Sequence, residues 1–305
     1  MQPVIAVTLG SNGFHLFDMR LEGQALQTTR HLYDNVQAES FVEKDGNISA
    51  EGMRVIAASL AKFSNYIQSN PGRVCGAIAT GTFRRARNAE DVMTLAGNAL
   101  GMEINRLSGQ EEGLLCYMGI ASSLGFVSHS RLVIDVGGGS TELMIVNQNQ
   151  LIRFASLDVG CVSLTRRFFS TETLEDEHFS GATRQVREIV NAVAPGFLSQ
   201  GWEEVLGCGG SVSSLFSVLQ RNRMGGRSIT LAGLGRFREA VVESGNPDNI
   251  SLVAVPRERS RLLPAGASIL DGIYQCLDVE RMTPAFTSVG QGLIVSLFQQ
   301  QSASI

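Results

Sequence analysis

The chain has 305 residues, of which 44% are hydrophobic and 18% charged, with a formal net charge of −4. This composition is typical of a folded globular protein with material for two domains, and the acidic balance argues against general nucleic-acid binding, which needs a basic face. No run approaches the roughly 18 apolar residues that span a bilayer and the start, MQPVIAVTLG, has no signal-peptide pattern, so we expect a cytoplasmic protein without a membrane partner.

The first part of the chain alternates predicted strands and helices. Residues 4–20, VIAVTLGSNGFHLFDMR, combine an apolar strand, a glycine bend and a second strand of alternating polarity. The next predicted elements are a helix over 51–68, a buried strand over 74–80, a helix over 88–100, a short strand near 102–107 and a helix over 110–122. Asn88 and Ser108 are the expected N-caps of the last two helices, and acids follow each of them in the first turn.

The opening pattern is repeated further along the chain. Residues 131–147, RLVIDVGGGSTELMIVN, again read as a strand, a glycine bend and a strand. Placing Thr8 over Asp135 also aligns Gly10 with Gly137, an offset of 127 residues. The repeat predicts two similar domains, each beginning with a β-hairpin that bends at a phosphate-sized gap, because glycine clusters allow close approach to the backbone.

A third glycine cluster, VLGCGGSVSSL at 205–215, follows a short apolar strand and runs into a helical pattern. Its exposed amides predict an anion site at a helix N-terminus. Further helical patterns cover 182–194, 211–220, 231–244, 262–276 and 290–301.

Two common nucleotide-binding motifs do not fit the triple glycine. A GxGxxG motif would need glycine at position 142, which is Glu142, and the residues that follow alternate like a strand rather than opening a helix. A P-loop would need a lysine followed by Ser or Thr, and no such pair occurs in the chain.

The remaining chemistry-bearing residues give weaker signals. The five cysteines form no CxxC pair, which predicts reduced thiols, and the four histidines show no metal-ligand spacing. Lys44 and Lys62 are the two lysines among 25 basic residues, so 23 are arginines, the side chain that makes forked contacts with phosphate. Two arginine groups are expected to be solvated, with contacts to a phosphate chain as the alternative: Arg221, Arg223 and Arg227, and Arg257, Arg259 and Arg261.

The order strand, Asp, three Gly, Ser, Thr, Glu, strand resembles the phosphate loop of the actin, hexokinase and Hsp70 superfamily. Within it, the chain is most similar to the exopolyphosphatase and guanosine pentaphosphate phosphatase (Ppx/GppA) family. The blocks that carry this resemblance are VTLGSNGFHL at 7–16, ATGTFRRARN at 79–88, LSGQEEGLLCYMGI at 107–120, VIDVGGGSTEL at 133–143, DVGCVSL at 158–164 and LGCGGSV at 206–212.

The resemblance implies an α/β fold with two ribonuclease-H-like domains of the actin-like ATPase type and an interdomain cleft. The first domain would comprise 1–127 with about 291–305, and the second 128–290. The implied reaction is hydrolysis of terminal phosphoanhydride bonds of inorganic polyphosphate or guanosine pentaphosphate, with Mg²⁺ or Mn²⁺ as cofactor. The sequence does not choose between these substrates, and it leaves a homodimer open.

The resemblance also implies roles for individual residues. Asp135 and Glu142 would hold the metal, and Glu112 would act as the general base for the attacking water. Ordinary acidic residues in the first turn of a helix are the alternative reading of Glu111 and Glu112. The phosphates would be held by Gly10, Ser11, Asn12, Arg84, Gly137, Gly138, Gly139, Ser140, Thr141, Gly209, Gly210 and Ser211.

Two departures from the family pattern keep a second function open. Thr8 stands where the family carries an Asp, and Gly290 and Gln291 stand in place of an Arg and a Glu. Threonine cannot supply a formal charge to a hard cation, so the alternative is a degenerate regulator that binds polyphosphate or guanosine tetraphosphate with weak catalysis. A kinase of the same superfamily is a third reading. Since the sequence stops at about the end of the two-domain core, short polyphosphate chains are the expected polymer.

Overall fold

A computed structural model describes residues 1–23, 25–125, 127–148, 150–171, 173–246, 250, 252–255 and 257–303. The chain divides into two compact units. Unit 1 comprises Met1–Leu124 and Thr287–Ile305, and unit 2 comprises Gly125–Phe286, whereas the sequence predicts divisions after residues 127 and 290.

Unit 1 contains a five-stranded mixed sheet of order β3-β2-β1-β4-β5. Its strands are β1 (Val4–Leu9), β2 (Phe14–Glu22), β3 (Ala25–Asp34), β4 (Val74–Ala79) and β5 (Asn105–Arg106). The first strand pairs antiparallel with β2 and parallel with β4. It is buried along its whole length, as expected for an apolar strand in the centre of a sheet with both faces covered.

The helices of unit 1 cover the two faces of this sheet. They are α1 (Ala50–Gln68), α2 (Gly81–Arg85), α3 (Ala89–Leu100), α4 (Gly109–Leu124) and α11 (Val289–Ala303). One core lies on the side of α1 and α3 and includes Ile56, Phe63 and Val92. The other lies on the side of α11 and includes Ile294 and Leu297. The predicted helices are therefore confirmed to within two residues at their ends.

Two local predictions in unit 1 are corrected by tertiary contacts. Asn88 precedes α3, but its side chain makes no capping hydrogen bond. Its amide instead exchanges two hydrogen bonds of 2.9 Å with the backbone of Ile48. The strand predicted near 102–107 shortens to Asn105–Arg106, which pairs with the end of β4 alone.

Unit 2 repeats the same arrangement with one more strand, in the order β10-β11-β9-β6-β7-β8. Its strands are β6 (Arg131–Val136), β7 (Thr141–Asn147), β8 (Gln150–Leu157), β9 (Glu204–Cys208), β10 (Ile229–Thr230) and β11 (Arg281–Pro284). The first strand of this unit, β6, pairs antiparallel with β7 and parallel with β9. Thr8 faces His15 across the first hairpin and Asp135 faces Glu142 across the second, which confirms the offset of 127 residues.

The helices of unit 2 enclose one large core. They are α5 (Cys161–Phe168), α6 (Asp176–Asn191), α7 (Ala194–Leu198), α8 (Gly210–Arg221), α9 (Leu231–Ser244) and α10 (Leu263–Leu277). The helix predicted over 182–194 begins six residues earlier and ends at Asn191. Pro195 lies in the first turn of α7, where its missing N–H is tolerated, so a second helix starts there.

None of the described helices combines the length and the hydrophobicity that a membrane span requires. All five cysteines are free thiols, three of them buried, which confirms the prediction from their spacing.

Helix α11 lies very close to its neighbours in unit 1 because glycines stand at the contacts. A Cβ atom on Gly292 would lie 1.7 Å from the Leu115 carbonyl oxygen of α4. A Cβ atom on Gly290 would lie 2.6 Å from the Phe17 ring and 3.3 Å from Cγ2 of Thr8. The absence of a side chain at 290 is therefore a packing requirement of this unit.

We expect Gly290→Ala to destabilise the protein by about 1 kcal/mol or more, because an added methyl group must displace Phe17 and overpacking costs about 1–3 kcal/mol. Gly235→Ala is the matched control. Gly235 lies inside α9 with no described atom within 4 Å of an added Cβ, so alanine should stabilise by about 0.5–1 kcal/mol. Urea unfolding of the two variants measures both effects, and equal stability changes would contradict the packing account.

Cys161 begins α5 and is fully buried. Burial raises the pKa of its thiol from 9.0 to about 11, because the low-dielectric core disfavours the thiolate. Below pH 9 both the folded and the unfolded thiol are neutral. As pH rises from 9 to 11 the unfolded chain ionises first, so the stability that burial provides is lost in this window.

We expect wild type to lose more unfolding free energy than Cys161→Ala when pH is raised from 8 to 10.5, by about 2 kcal/mol. Comparing the pH-induced changes in unfolding free energy of the two proteins cancels the contributions of other titrating groups. The cavity that alanine leaves also cancels, because it is present at both pH values. Urea unfolding at the two pH values tests this, and identical pH dependence in both proteins would rule out the Cys161 contribution.

Candidate functional site

The two hairpin bends share one backbone geometry. In unit 2 the Gly137 amide donates to the Ser140 carbonyl at 3.0 Å, and in unit 1 the Gly10 amide donates to the Gly13 carbonyl at 3.1 Å. A Cβ atom on Gly137 would lie 2.9 Å from the Ser140 oxygen. The bend therefore requires glycine at its first residue, as the sequence repeat indicates.

The start of α5 holds the triple-glycine loop of unit 2 in place through hydrogen bonds. The amides of Cys161 and Val162 donate to the carbonyls of Gly137 and Gly138 at 3.0 and 2.7 Å. Within the described ranges, the amides of Gly138 and Gly139 find no acceptor. Successive unpaired amides at a glycine bend form a concave site for an anion.

Thr141 is fully buried at the start of β7, and its hydroxyl donates to the Val159 carbonyl at 2.7 Å. The side-chain proton of Thr141 is therefore already engaged within the fold.

Asp135 and Glu142 lie opposite each other on β6 and β7 and are only 9% and 1% exposed. Facing residues of an antiparallel pair have Cβ atoms about 4.5–5.5 Å apart, so two ionised carboxylates repel each other there. Ser156 fixes one of them, since its hydroxyl donates to Oε1 of Glu142 at 2.9 Å. A hard divalent cation would offset this repulsion, and carboxylate oxygens are the ligands that Mg²⁺ and Mn²⁺ prefer, so the pair fits the predicted metal.

The third glycine cluster lies beside Asp135 because β9 runs parallel to β6. Gly209 has φ of +90°, and a Cβ atom there would lie 2.6 Å from Oδ1 of Asp135. Gly210 begins α8, and a Cβ atom on it would lie 2.6 Å from the Arg259 guanidinium. Glycine is thus required at 209 for two reasons: the positive φ favours it, and any side chain would collide with the Asp135 carboxylate.

Arg259 is a candidate site residue that the sequence named only within a group of arginines expected to be solvated, with phosphate contact as the alternative. Within the described part of the chain its guanidinium has no hydrogen bond or ion pair, and it lies against Gly210 at the positive end of a twelve-residue helix. A cation at a helix N-terminus is unfavourable, and a bound anion removes that conflict. Arg221, Arg223 and Arg227 are exposed, as expected for a solvated loop, and the side chain of Arg257 lies outside the described residues.

Ser211, also in the first turn of α8, accepts a hydrogen bond from the Cys161 thiol at 3.2 Å. Because burial raises the pKa of that thiol to about 11, Cys161 is a neutral donor at this position rather than a nucleophile.

In unit 1, the loop of Ser11 and Asn12 is fixed by surrounding amides. The carbonyls of Ser11 and Asn12 accept from Glu39 and Gln37 at 3.1 and 2.7 Å, and the Thr82 amide donates to the Ser11 hydroxyl at 3.3 Å. Both polar atoms of the Asn12 side chain are buried, and neither has a partner among the described residues. Buried amide groups without partners are costly, so this side chain is suited to a ligand.

Glu111 and Glu112, adjacent on α4, have different partners. Ser108 and Glu111 form a reciprocal capping box: the Glu111 amide donates to the Ser108 hydroxyl at 3.2 Å, and the Ser108 amide donates to the Glu111 carboxylate at 2.8 Å. This confirms Ser108 as the cap. These hydrogen bonds also lower the pKa of the exposed Glu111 carboxyl.

Glu112 points elsewhere and is nearly buried, at 9% exposure. Nη1 of Arg84 donates to Oε2 of Glu112 at 2.9 Å and to the Leu107 carbonyl at 3.2 Å. The structure therefore brings the predicted base and the predicted phosphate-binding arginine into direct contact. Both acids lie in the first turn of α4, as the alternative reading states, but only Glu111 forms the capping box.

In the first hairpin, the two positions that correspond to the facing acids of the second hairpin hold other side chains. Thr8 is buried and faces His15, whose Nδ1 lies 3.0 Å from Nε2 of His31 on β3. Burial lowers the pKa of His31. The spacing of these histidines in the sequence does not indicate the pair. The two rings meet only because β2 and β3 are paired in this register.

Comparison with known proteins gives a consistent result. A sequence model of the Ppx/GppA phosphatase family matches residues 19–301. A Ppx/GppA family member from Aquifex aeolicus has 20% identity and a TM-score of 0.78, with 98% of each chain covered. An exopolyphosphatase from Cytophaga hutchinsonii has 18% identity and a TM-score of 0.86, also over 98% of each chain. An exopolyphosphatase-like protein has 17% identity and a TM-score of 0.84 over 99% of each chain.

At these identities the solved structures establish the fold, which is the predicted pair of ribonuclease-H-like domains of the actin-like ATPase type. The family model covers most of the chain. The chain belongs to the Ppx/GppA phosphatase family.

Proposed function

We propose that the protein is a Mg²⁺-dependent phosphohydrolase that cleaves terminal phosphoanhydride bonds of inorganic polyphosphate or of guanosine pentaphosphate. The observation that carries the proposal is the surroundings of Gly209 and Gly210. The Asp135 carboxylate lies beside the first glycine, and the Arg259 guanidinium, which has no ion pair within the described ranges, lies beside the second. A carboxylate that can bind a cation and a guanidinium that can bind an anion, placed next to one another, suit a metal-bound phosphate.

In this proposal the residues of unit 2 hold the phosphate chain. The free amides of Gly138 and Gly139 and the first turn of α8 would accept phosphoryl oxygens, and Arg259 would neutralise their charge. Asp135 and Glu142 would hold the divalent cation, which when bound would polarise the phosphoryl group as a Lewis acid.

The residues of unit 1 would act on the water. Glu112 would orient the attacking water and accept its proton, and Arg84 would hold the carboxylate in one orientation through its bonds to Glu112 and the Leu107 carbonyl. The side-chain amide of Asn12, buried without a partner among the described residues, would bind a phosphoryl oxygen. Phosphoryl transfer depends on such positioning and charge neutralisation rather than on a covalent intermediate.

A binding protein without efficient turnover is the second candidate, and one observation favours it. The first hairpin has Thr8 and His15 where the second has two carboxylates, so it offers no acid to the metal. Such a protein would bind the same polyphosphorylated ligands through the loops of unit 2.

We expect Glu112→Gln to lower phosphate release by about 10²–10⁴-fold, the range for loss of a general base. Glu111→Gln is the matched control in the same helical turn; since glutamine preserves the capping box, its activity should stay within twofold of wild type. Phosphate release from tripolyphosphate and from guanosine pentaphosphate with Mg²⁺ measures both. Equal losses in the two variants would contradict the assignment of Glu112.

We expect Thr8→Asp to lower the Mg²⁺ concentration for half-maximal activity by about tenfold, because it adds a carboxylate for a hard cation. Thr8→Asn, with similar size and no charge, should show no such shift. Magnesium titrations of phosphate release compare the variants. A wild type that binds tripolyphosphate without releasing phosphate, with turnover gained in Thr8→Asp, would instead establish the binding protein.

A further inference from the structure

Unit 2 contains a cavity of about 310 Å³ among helices α6, α9 and α10 that the proposed reaction does not use. This volume lies at the lower end of the range for small-molecule sites, about 300–1,000 Å³. Phe179, Leu234 and Ala267 line it and are each at most 3% exposed. Leu231 also lines it and is 43% exposed, so the cavity has an apolar wall that is open to solvent on one side.

Gly235 in α9 also lines the cavity, at a position that is exposed to solvent. No described heavy atom lies within 4 Å of a Cβ atom built on it. Gly52 and Gly272, also inside helices, differ because a Cβ atom there would lie 2.5 and 2.7 Å from neighbouring side chains. A glycine inside a helix costs about 0.5–1 kcal/mol, and at Gly235 no packing within the described protein requires it.

The cavity carries one carboxylate without a cationic partner. Asp271 accepts hydrogen bonds from the Thr183 hydroxyl at 3.0 Å and from the Gln275 side chain at 2.8 Å. Both donors are neutral, and among the described residues none forms an ion pair with Asp271. A carboxylate accepts about four hydrogen bonds, so each oxygen has capacity for a further donor.

The one basic residue lining the cavity does not balance this charge. Arg238 is paired with Asp176, to which Nε and Nη2 donate at 2.6 and 2.5 Å. It also lies over the Phe179 ring at 5.7 Å. With that pair neutral, the cavity keeps a net charge of about −1 from Asp271.

We propose that this cavity binds a small organic ammonium ion with an apolar body. The ammonium group would donate to the oxygens of Asp271, and the apolar body would lie against Phe179 and Leu234. Such a charge-assisted contact in a partly enclosed apolar site gives affinity and selects against anions.

The site is separate from the phosphate loops but shares a helix with them. Ala267 and Asp271 line the cavity, while a Cβ atom on Gly266 would lie 3.4 Å from the Cys161 sulfur and 3.8 Å from Cβ of Ser211. The proposal does not depend on the phosphohydrolase activity, and a binding measurement tests it alone.

Calorimetric titration of the whole protein with 3-methylbutylamine and with 4-methylpentanoate tests the proposal at neutral pH. The two probes share an apolar body and carry opposite charges. We expect the amine to bind with millimolar affinity or better and the carboxylate to give no binding. Asp271→Asn should weaken binding of the amine by about tenfold.

Gly235→Leu is the second variant, because a leucine side chain at this exposed lining position would obstruct the open side of the cavity, and leucine is a better helix former than glycine. We expect it to abolish amine binding while its melting temperature equals or exceeds that of wild type. Equal binding of the two probes, unchanged amine binding in Gly235→Leu, or no binding at millimolar amine would each overturn the proposal.

Discussion

The pairing of the first strand of each unit with two neighbours is the constraint on which the candidate site depends. Asp135 is held opposite Glu142 by the antiparallel ladder and opposite Cys208 by the parallel one. The first ladder places two acids on one face, and the second brings Gly209 against the Asp135 carboxylate. A slip of one residue in either ladder would turn a side chain to the other face of the sheet. The chemistry of the loops therefore follows from the register of the sheet.

The two units share this strand pairing but place different side chains at the facing positions. In unit 2 the facing positions hold two buried acids, whereas in unit 1 they hold Thr8 and His15. The change at Thr8 is not isolated, because Gly290 packs against both Thr8 and Phe17. A larger residue at 290 would need Phe17 to move, so the side chains at positions 8, 17 and 290 constrain one another through packing.

Much of this fold could be predicted from the sequence because its signals are local. The glycine bends, the alternating strands and the Ser108 capping box each depend on residues a few positions apart, and all three are confirmed. The prediction failed where a partner lies far along the chain. Asn88 fits a cap by sequence, but it bonds to Ile48, forty residues away. Arg259 could not be separated from other arginines of its segment, since its place beside Gly210 is set by packing of unit 2.

In the proposed reaction, water attacks the terminal phosphorus of a phosphoanhydride chain. Hydrolysis of tripolyphosphate in ¹⁸O-labelled water with Mg²⁺, followed by mass spectrometry of both products, tests this step directly. We expect one ¹⁸O atom in each released orthophosphate and none in the pyrophosphate that remains, because attack at the terminal phosphorus leaves the bridging oxygen with the chain. Label in the pyrophosphate would place the attack elsewhere, and no orthophosphate with either Mg²⁺ or Mn²⁺ would contradict hydrolysis altogether.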